Sequence, residues 1–481
     1  MLIGGRLQHG GARVNLENPY TGEQIAVING ATTADADRAL ETAAAARHAI
    51  AELSAADRAA LLEAGADAVS AGSEELVSLI VAEQGKTVTE ATAEVARTPP
   101  LLRICAEEAR RICGEVLPLG ASVSPDGRDK LGFTLPSPAG VTVAITPFNY
   151  PLLLVAHKVG PALAAGNPVI LKPASTTPLV GLRLAEMVLG AGWPAGALQC
   201  LVGPGAELGK ALSSDNRVRV ITFTGSRSVG GMIARQAGPK RLSLELGANC
   251  PTVVMPDADS EQVAASLAIG GYANAGQVCI SAQRALVSES VYTEVLDALT
   301  ARVAEIAVGD PSDPGTVMGP LISTQEAMRV ADSVQEAVAR GSSVTTGGKR
   351  DGAIYAPTVV ADVAPDTALF REELFGPAIA LTPFDALEKA IEWTNSDDWG
   401  LGAAIFTQDV DLAVSFARAA EAGNIHVNNS PLWRADAMPY GGLNGSGIGK
   451  EGPRYAIQAM TESKTVVLHT RPAPNLKGAP R

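Results

Sequence analysis

The chain has 481 residues, more than one hydrophobic core ordinarily organises, so two or more lobes are expected. It carries 38 Lys and Arg against 51 Asp and Glu, a formal charge of −13. That balance gives no electrostatic footprint for nucleic acid or an anionic membrane and points to a small soluble substrate.

At the N-terminus Gly4, Gly5, Arg6, Gln8 and His9 interrupt any apolar run, so no export signal is expected. From Thr33 to about Ala96 the sequence is Ala-rich, with charges at helical spacing. Thr33, Ser54 and Ser73 are placed to cap three successive helices, read as packing material without chemistry. The Gly, Pro, Ser and Asp between Gly120 and Pro138 suggest a hairpin leaving the lobe, with Pro125, Asp126 and Gly127 at its turn.

Strands and helices alternate from Val141 onward: strand Val141 to Thr146, helix Pro151 to Ala165, strand Pro168 to Lys172, helix Pro178 to Leu189, strand Leu198 to Val202. Helix Ala206 to Leu212, strand Arg219 to Phe223, helix Ser226 to Gln236 and strand Arg241 to Leu246 follow. Such alternation implies right-handed crossovers and a parallel, doubly wound sheet. Leu152 to Leu171 is the nearest approach to a membrane span, but His157, Lys158, Pro161, Asn167 and Pro168 divide it into a helix and a strand. A second α/β series begins at Pro251 and Asp259, passes through Arg284 to Ser288 and ends near Gly423 to Asn428. The apolar run Thr465 to Leu468 reads as a strand that neither lobe needs, suited to pairing with the hairpin of another subunit.

Five cysteines, Cys105, Cys113, Cys200, Cys250 and Cys279, are scattered, odd in number and without a Cys-x-x-Cys pair, which suits a reducing cytoplasm rather than a disulfide framework. Cys279 lies among Gly276, Gln277, Val278 and Ser281, small and polar neighbours that would leave a working thiolate exposed. Cys250, before the apolar Pro251 to Val254, reads as a small buried hydrophobe, and Cys105, Cys113 and Cys200 read as packing. Glu245, at an apolar strand end, is a carboxyl whose pKa desolvation raises toward general-base range. A thiol nucleophile with such a base suggests covalent catalysis through a thioester. Segments after the strands suit a dinucleotide: Thr146, Pro147, Phe148 and Asn149 after the first, Lys172 and Ser175 after the second, and Phe223, Thr224, Gly225 and Ser226 opening a helix whose free N–H groups suit pyrophosphate. Gly225 as a plain strand-to-helix turn is the alternative. None of the five histidines has neighbours suggesting a zinc site, so no metal is expected.

These segments resemble the aldehyde dehydrogenase superfamily in order and spacing. The resemblance rests on Asn149 in Pro-Phe-Asn-Tyr-Pro, Lys172 in Lys-Pro-Ala, Phe-Thr-Gly-Ser at 223–226, Glu245 in Leu-Glu-Leu-Gly, Cys279 in Gly-Gln-Val-Cys, and Glu373 in Glu-Glu-x-Phe-Gly-Pro. It extends to Met438 through Gly442 and Ser446 through Gly449. It implies an α/β fold with a doubly wound cofactor domain (1–119 and 139–246), a catalytic α/β domain (247–447) and a small β oligomerisation element (120–138 and 460–475) in a homodimer or homotetramer. It further implies attack by Cys279, an oxyanion held by the Asn149 amide and the Cys279 N–H, and thioester hydrolysis with Glu245 as base. Lys172 and Glu373 would hold the riboses, Phe375 would border the nicotinamide, and Gly205, Leu246 and Gly247 would complete the cofactor site. Ser175 stands where many NAD-preferring relatives carry a glutamate, so NADP is permitted, although the lack of an arginine cluster favours NAD.

Asn428 to Arg434, with Tyr150 and His157 upstream, is similar to the branch containing lactaldehyde, sulfolactaldehyde and phosphonoaldehyde dehydrogenases. Arg103, His157 and Arg434 are accordingly expected to converge on an anionic tail, with Tyr150 beside the substrate. Salt bridges elsewhere are the alternative role for Arg103 and Arg434. Val278 replaces the arginine that phosphonoacetaldehyde-type relatives often place before the nucleophile, which suits a shorter or differently placed anion. An uncharged aldehyde, or transfer of the acyl group to coenzyme A, is the competing outcome.

Overall fold

The computed structural model describes residues 1–121 and 130–470. Five parallel strands form the centre of an eight-stranded sheet, in spatial order Leu198–Cys200, Val169–Lys172, Val141–Ile145, Val218–Thr224 and Arg241–Glu245. Numbered along the chain this is 3-2-1-4-5, a doubly wound sheet whose order reverses between Val141–Ile145 and Val218–Thr224, the place where such sheets take ligands. Val141–Ile145 and Val169–Lys172 are buried throughout, because helices such as Leu153–Ala164 cover the sheet. On the far side the short strand Gly447–Ile448 pairs antiparallel with Arg241–Glu245, opposing Gly447 to Glu245.

A second sheet has seven strands, six of them parallel, in the order Ser343–Thr346, Thr358–Ala361, Ala378–Phe384, Arg284–Ser288, Pro251–Val254, Gly402–Phe406 and Asn424–Val427. Each sheet has its own apolar core, one around Val143, Ile170 and Ile221, the other around Val253, Leu286 and Ile379. Each large side chain fully buried there contributes about 1.5–3 kcal/mol. A small third cluster, including Cys250, Val278, Ile280 and Tyr440, has Cys279 packed against it.

Several sequence expectations need correction. The first helix, Thr33–Ala51, is capped by Thr32, not Thr33, because Asp35 stands three residues after Thr32 and completes a reciprocal capping box. The third, Ser73–Gln84, has Gly72 at its cap, while Ser54 caps the second as read. A fourth helix, Val88–Ala109, was hidden by Pro99 and Pro100, which it carries internally. The C-terminal strand, Thr461–His469, pairs antiparallel within its own chain along Lys130–Pro138, and Val116–Leu117 completes that three-stranded sheet. The hairpin turn read at Pro125 to Gly127, and the end of the segment read as 460–475, lie outside the described residues. Cys113 is exposed after the fourth helix rather than packed, whereas Cys105, Cys200 and Cys250 are buried.

Candidate active site

Loops at the carboxyl ends of the parallel strands surround a cleft of about 650 Å³. Every residue read as cofactor-binding lines it except Ser175, which stands beside it and accepts a bond from Lys172 Nζ at 3.2 Å. Lys172 closes its strand and also donates to the Pro173 carbonyl; burial lowers its pKa to about 8. Ser226 caps Arg227–Ala237 by accepting from the Val229 N–H, and both residues line the cleft, which puts the helix N-terminus at its wall. Glu373 lies against Gly247, where a Cβ would collide with its carboxylate, and accepts from the Ala248 N–H at 3.2 Å. Burial raises Glu373 to about 7, against the pull of that N–H and of Arg329. Phe375, held at φ 49, packs edge-to-face on Phe148 with centroids 5.9 Å apart.

Cys279 and Asn149 line the same cleft. The turn before Cys279 runs through three left-handed residues, Asn274, Ala275 and Gly276, and a Cβ on Gly276 would meet the Gly376 carbonyl. The two non-glycine positions cost about 1–2 kcal/mol each. Hydrogen bonds offset that cost: Asn274 N–H donates to Glu90 at 2.6 Å, Gln84 Nε2 to Asn274 Oδ1 at 2.8 Å, and Ile322 N–H to Gln277 Oε1 at 2.9 Å. Asn149 Nδ2 donates one hydrogen to the Gln277 carbonyl at 2.8 Å, which leaves its second N–H for a ligand. Burial pushes the Cys279 thiol up to about 12, partly offset by a 3.1 Å hydrogen bond with the Tyr440 hydroxyl. The sulfur lines the cleft half-buried, and burial makes it hold its proton more tightly than a free thiol does.

Glu245 ends its strand just behind the cleft. It is 2% exposed, and neither carboxyl oxygen has a hydrogen-bond partner. Burial, reinforced by the negative charge of Glu451, holds its pKa well above the usual carboxyl range, against the positive charges of Lys158, Arg434 and Lys450. Such an orphaned carboxyl is costly in a structural role, and both of its oxygens are buried without a partner.

The residues read as substrate-binding do not all converge. Arg103 belongs to the outer helices, where it pairs with exposed Asp67 at 2.7 Å, so it plays no part at the cleft. His157 is buried beside Asp436 Oδ1 at 3.1 Å and Arg434 Nη2 at 3.4 Å, which leaves neither ring nitrogen free. Burial and the Arg434 charge lower its pKa, despite Asp436, so it is neutral near pH 7. Arg434 stacks on the Tyr440 ring at 3.8 Å and donates to Glu451 at 3.0 Å, while its Nε is buried without a partner. Tyr150 packs beside Cys279 under the Lys86 ammonium, 3.7 Å from its ring centroid.

Sequence reasoning missed the groups that hold these side chains. Lys86 and Glu94 form a buried ion pair at 2.6 Å, and Lys86 also donates to the Asn149 carbonyl at 2.7 Å. Glu94 accepts from the Leu152 and Leu153 N–H groups, capping the helix after Asn149. The N-terminal helices thus contribute to the site and are not merely packing. Glu451 takes Lys158 at 2.8 Å and Arg434; burial alone would raise its carboxyl, but the two cations override it and hold it well below the usual range. A charge within an Ala-rich helix gives no local sign that it is buried. Only the small residues around Tyr440 marked that segment as special.

A nucleotide-sized cleft at the reversal point of a doubly wound sheet, with a cysteine at its inner end and an unpartnered carboxyl behind, defines a class of α/β enzyme that works on a substrate brought to sulfur. A sequence profile described as the aldehyde dehydrogenase family matches residues 7–466, and the chain belongs to that family. It is 43% identical over 470 residues to a 3-sulfolactaldehyde dehydrogenase of Priestia aryabhattai, with 98% of each chain covered. Among solved structures it resembles a glyceraldehyde-3-phosphate dehydrogenase from Methanocaldococcus jannaschii complexed with NADP, at a TM-score of 0.91 and 35% identity, covering 95% of this chain and 99% of the other. It also resembles a betaine aldehyde dehydrogenase from Staphylococcus aureus in complex with NAD+, at a TM-score of 0.93 and 31% identity, covering 98% and 94%.

Proposed function

We propose that this aldehyde dehydrogenase converts a small anionic aldehyde to its carboxylic acid through a thioester on Cys279, using NAD and tolerating NADP. The observation that carries this reading is the placement of the Cys279 thiol and the free Asn149 N–H in one cleft, with the unpartnered Glu245 carboxyl directly behind. As a thiolate, Cys279 adds to the aldehyde carbonyl, and the second Asn149 N–H and the Cys279 backbone N–H steady the oxyanion. A bound nicotinamide supplies the hydride acceptor. Once deprotonated, Glu245 takes a proton from the water that adds to the thioester; the acid departs and the sulfur regains a proton. That role distinguishes hydrolysis from transfer to coenzyme A.

Lys172 and Glu373 suit ribose hydroxyls, and the amides after Ser226 suit pyrophosphate. Ser175 presents no carboxylate to repel a 2′-phosphate, and Lys210 also lines the cleft. Behind Cys279, the cations Lys158, Arg434 and Lys450 outnumber Glu451, while burial favours the neutral forms of His157 and Glu245 and Arg97 balances Asp436. That surplus, with the free Nε of Arg434, favours an aldehyde with a sulfonate, phosphonate or carboxylate tail. The relative named for 3-sulfolactaldehyde, a sulfonate-bearing aldehyde, supports this class.

The proposed division is a cofactor domain (1–119 and 139–246), a catalytic domain (247–447) and an oligomerisation element (120–138 and 460–475). The outer edges of Thr461–His469 and Asn424–Val427 have no strand neighbour among the described residues, which supports a homodimer or homotetramer. Unpaired cysteines support a cytoplasmic setting. In the test, Cys279→Ala abolishes NADH formation, and mass spectrometry of quenched native enzyme finds the acyl adduct on Cys279. Persistent turnover without that sulfur refutes the mechanism, and an aldehyde panel ranked without regard to charge refutes the anionic class.

A further inference from the structure

We infer that Tyr440 is a catalytic residue whose phenol donates a hydrogen bond to the Cys279 sulfur and stabilises the thiolate that attacks the aldehyde. This rests on the assignment of Cys279 as nucleophile. The Tyr440 oxygen is 3.1 Å from Sγ, and geometry alone allows either atom to donate. A thiolate has no hydrogen to give, so only the phenol O–H to sulfur arrangement survives ionisation, and it then becomes charge-assisted. The thiol proton leaves to water in the cleft, while Tyr440 keeps its own. Burial and the neighbouring sulfur charge hold the phenol well above its ordinary pKa, so it remains a donor throughout the working pH range.

Three further features point the same way. Cys279 is the one hydrogen-bond partner of this hydroxyl among the described residues, so the oxygen has no separate structural bond. The Arg434 guanidinium lies 3.8 Å over the ring, where a cation draws electron density from the phenol and strengthens its O–H as a donor. Glu451 fixes both parts. Its backbone exchanges hydrogen bonds with Tyr440 at 3.2 and 2.6 Å, and its carboxylate holds Arg434 at 3.0 Å. Tyr440 is 3% exposed, and a phenylalanine would fill the same volume without the donor.

The test is the pH dependence of Cys279 alkylation by iodoacetamide, with the adduct located by peptide mass spectrometry. It compares native enzyme, Tyr440→Phe and enzyme carrying 3-fluorotyrosine at position 440. The phenylalanine variant should displace the profile toward alkali and slow alkylation about tenfold at pH values below its midpoint, with a similar loss in kcat/KM. Fluorotyrosine keeps the volume and is the stronger donor, so it should displace the profile the other way, while NADH binding and thermal unfolding stay native. Superimposable profiles for the three proteins overturn the inference and leave Cys279 as nucleophile untouched. Turnover surviving in Cys279→Ala ends both assignments.

Discussion

Glu245→Gln separates the two half-reactions. The substitution is nearly isosteric, and neither Glu245 oxygen has a hydrogen-bond partner to lose. Burial and the Glu451 charge both favour the protonated carboxyl, and the uncharged amide resembles that form. Folding free energy should therefore change by less than about 1 kcal/mol. Hydrolysis behaves differently. A positioned general base contributes about 10²–10⁴-fold, equivalent to about 2.7–5.4 kcal/mol of barrier. Attack by Cys279 does not use this carboxyl, so stopped-flow NADH absorbance should show a first-turnover burst of one equivalent per site. Steady turnover should then be at least about a hundredfold slower than native. The native deacylation rate should also rise with pH, since a base with a raised pKa works only after losing its proton, and that rise should vanish in the variant. Near-native steady turnover, or loss of the burst in protein that melts normally, refutes the assignment.

Glu94→Gln removes one member of a pair whose side chains are both fully buried, leaving the Lys86 charge facing an amide. Urea unfolding should show a loss of about 3–5 kcal/mol, and a loss below 1 kcal/mol contradicts the reading. Gly247→Ala places a Cβ where the Glu373 carboxylate now lies. Steady-state kinetics should show KM for NAD raised about tenfold or more with kcat far less affected, as expected when ribose bonds are lost; an unchanged KM removes Glu373 from the cofactor site.

Local pattern carried much of the protein. The alternation from Val141 to Glu245 exposed the sheet because hydrophobic period and turn residues are properties of neighbours in sequence. The segments at the strand ends were legible for the same reason: Thr146 to Asn149, Lys172, Gly225 and Ser226 follow directly from where each strand stops. Cys279 and Glu245 stood out by residue type and flanking chemistry.

The remainder depended on which segments meet. Tyr440 lies 161 residues from Cys279 in the chain yet bonds to its sulfur, and Lys86 reaches the Asn149 carbonyl from a short link between two helices that has no chemical signature. The fold also paired Arg103 with Asp67 away from the cleft, and zipped the last strand onto Lys130–Pro138 of the same chain. Ionisation was decided at this level too, since Cys279, Glu245 and Glu451 owe their proton affinities to burial and to charges from distant segments. Sequence determined the strands, their ends and the chemically distinctive side chains, because those follow from short-range periodicity and side-chain chemistry. Tertiary structure decided the partners and charge states, because desolvation and Coulomb energy depend on distances in space that no local window contains.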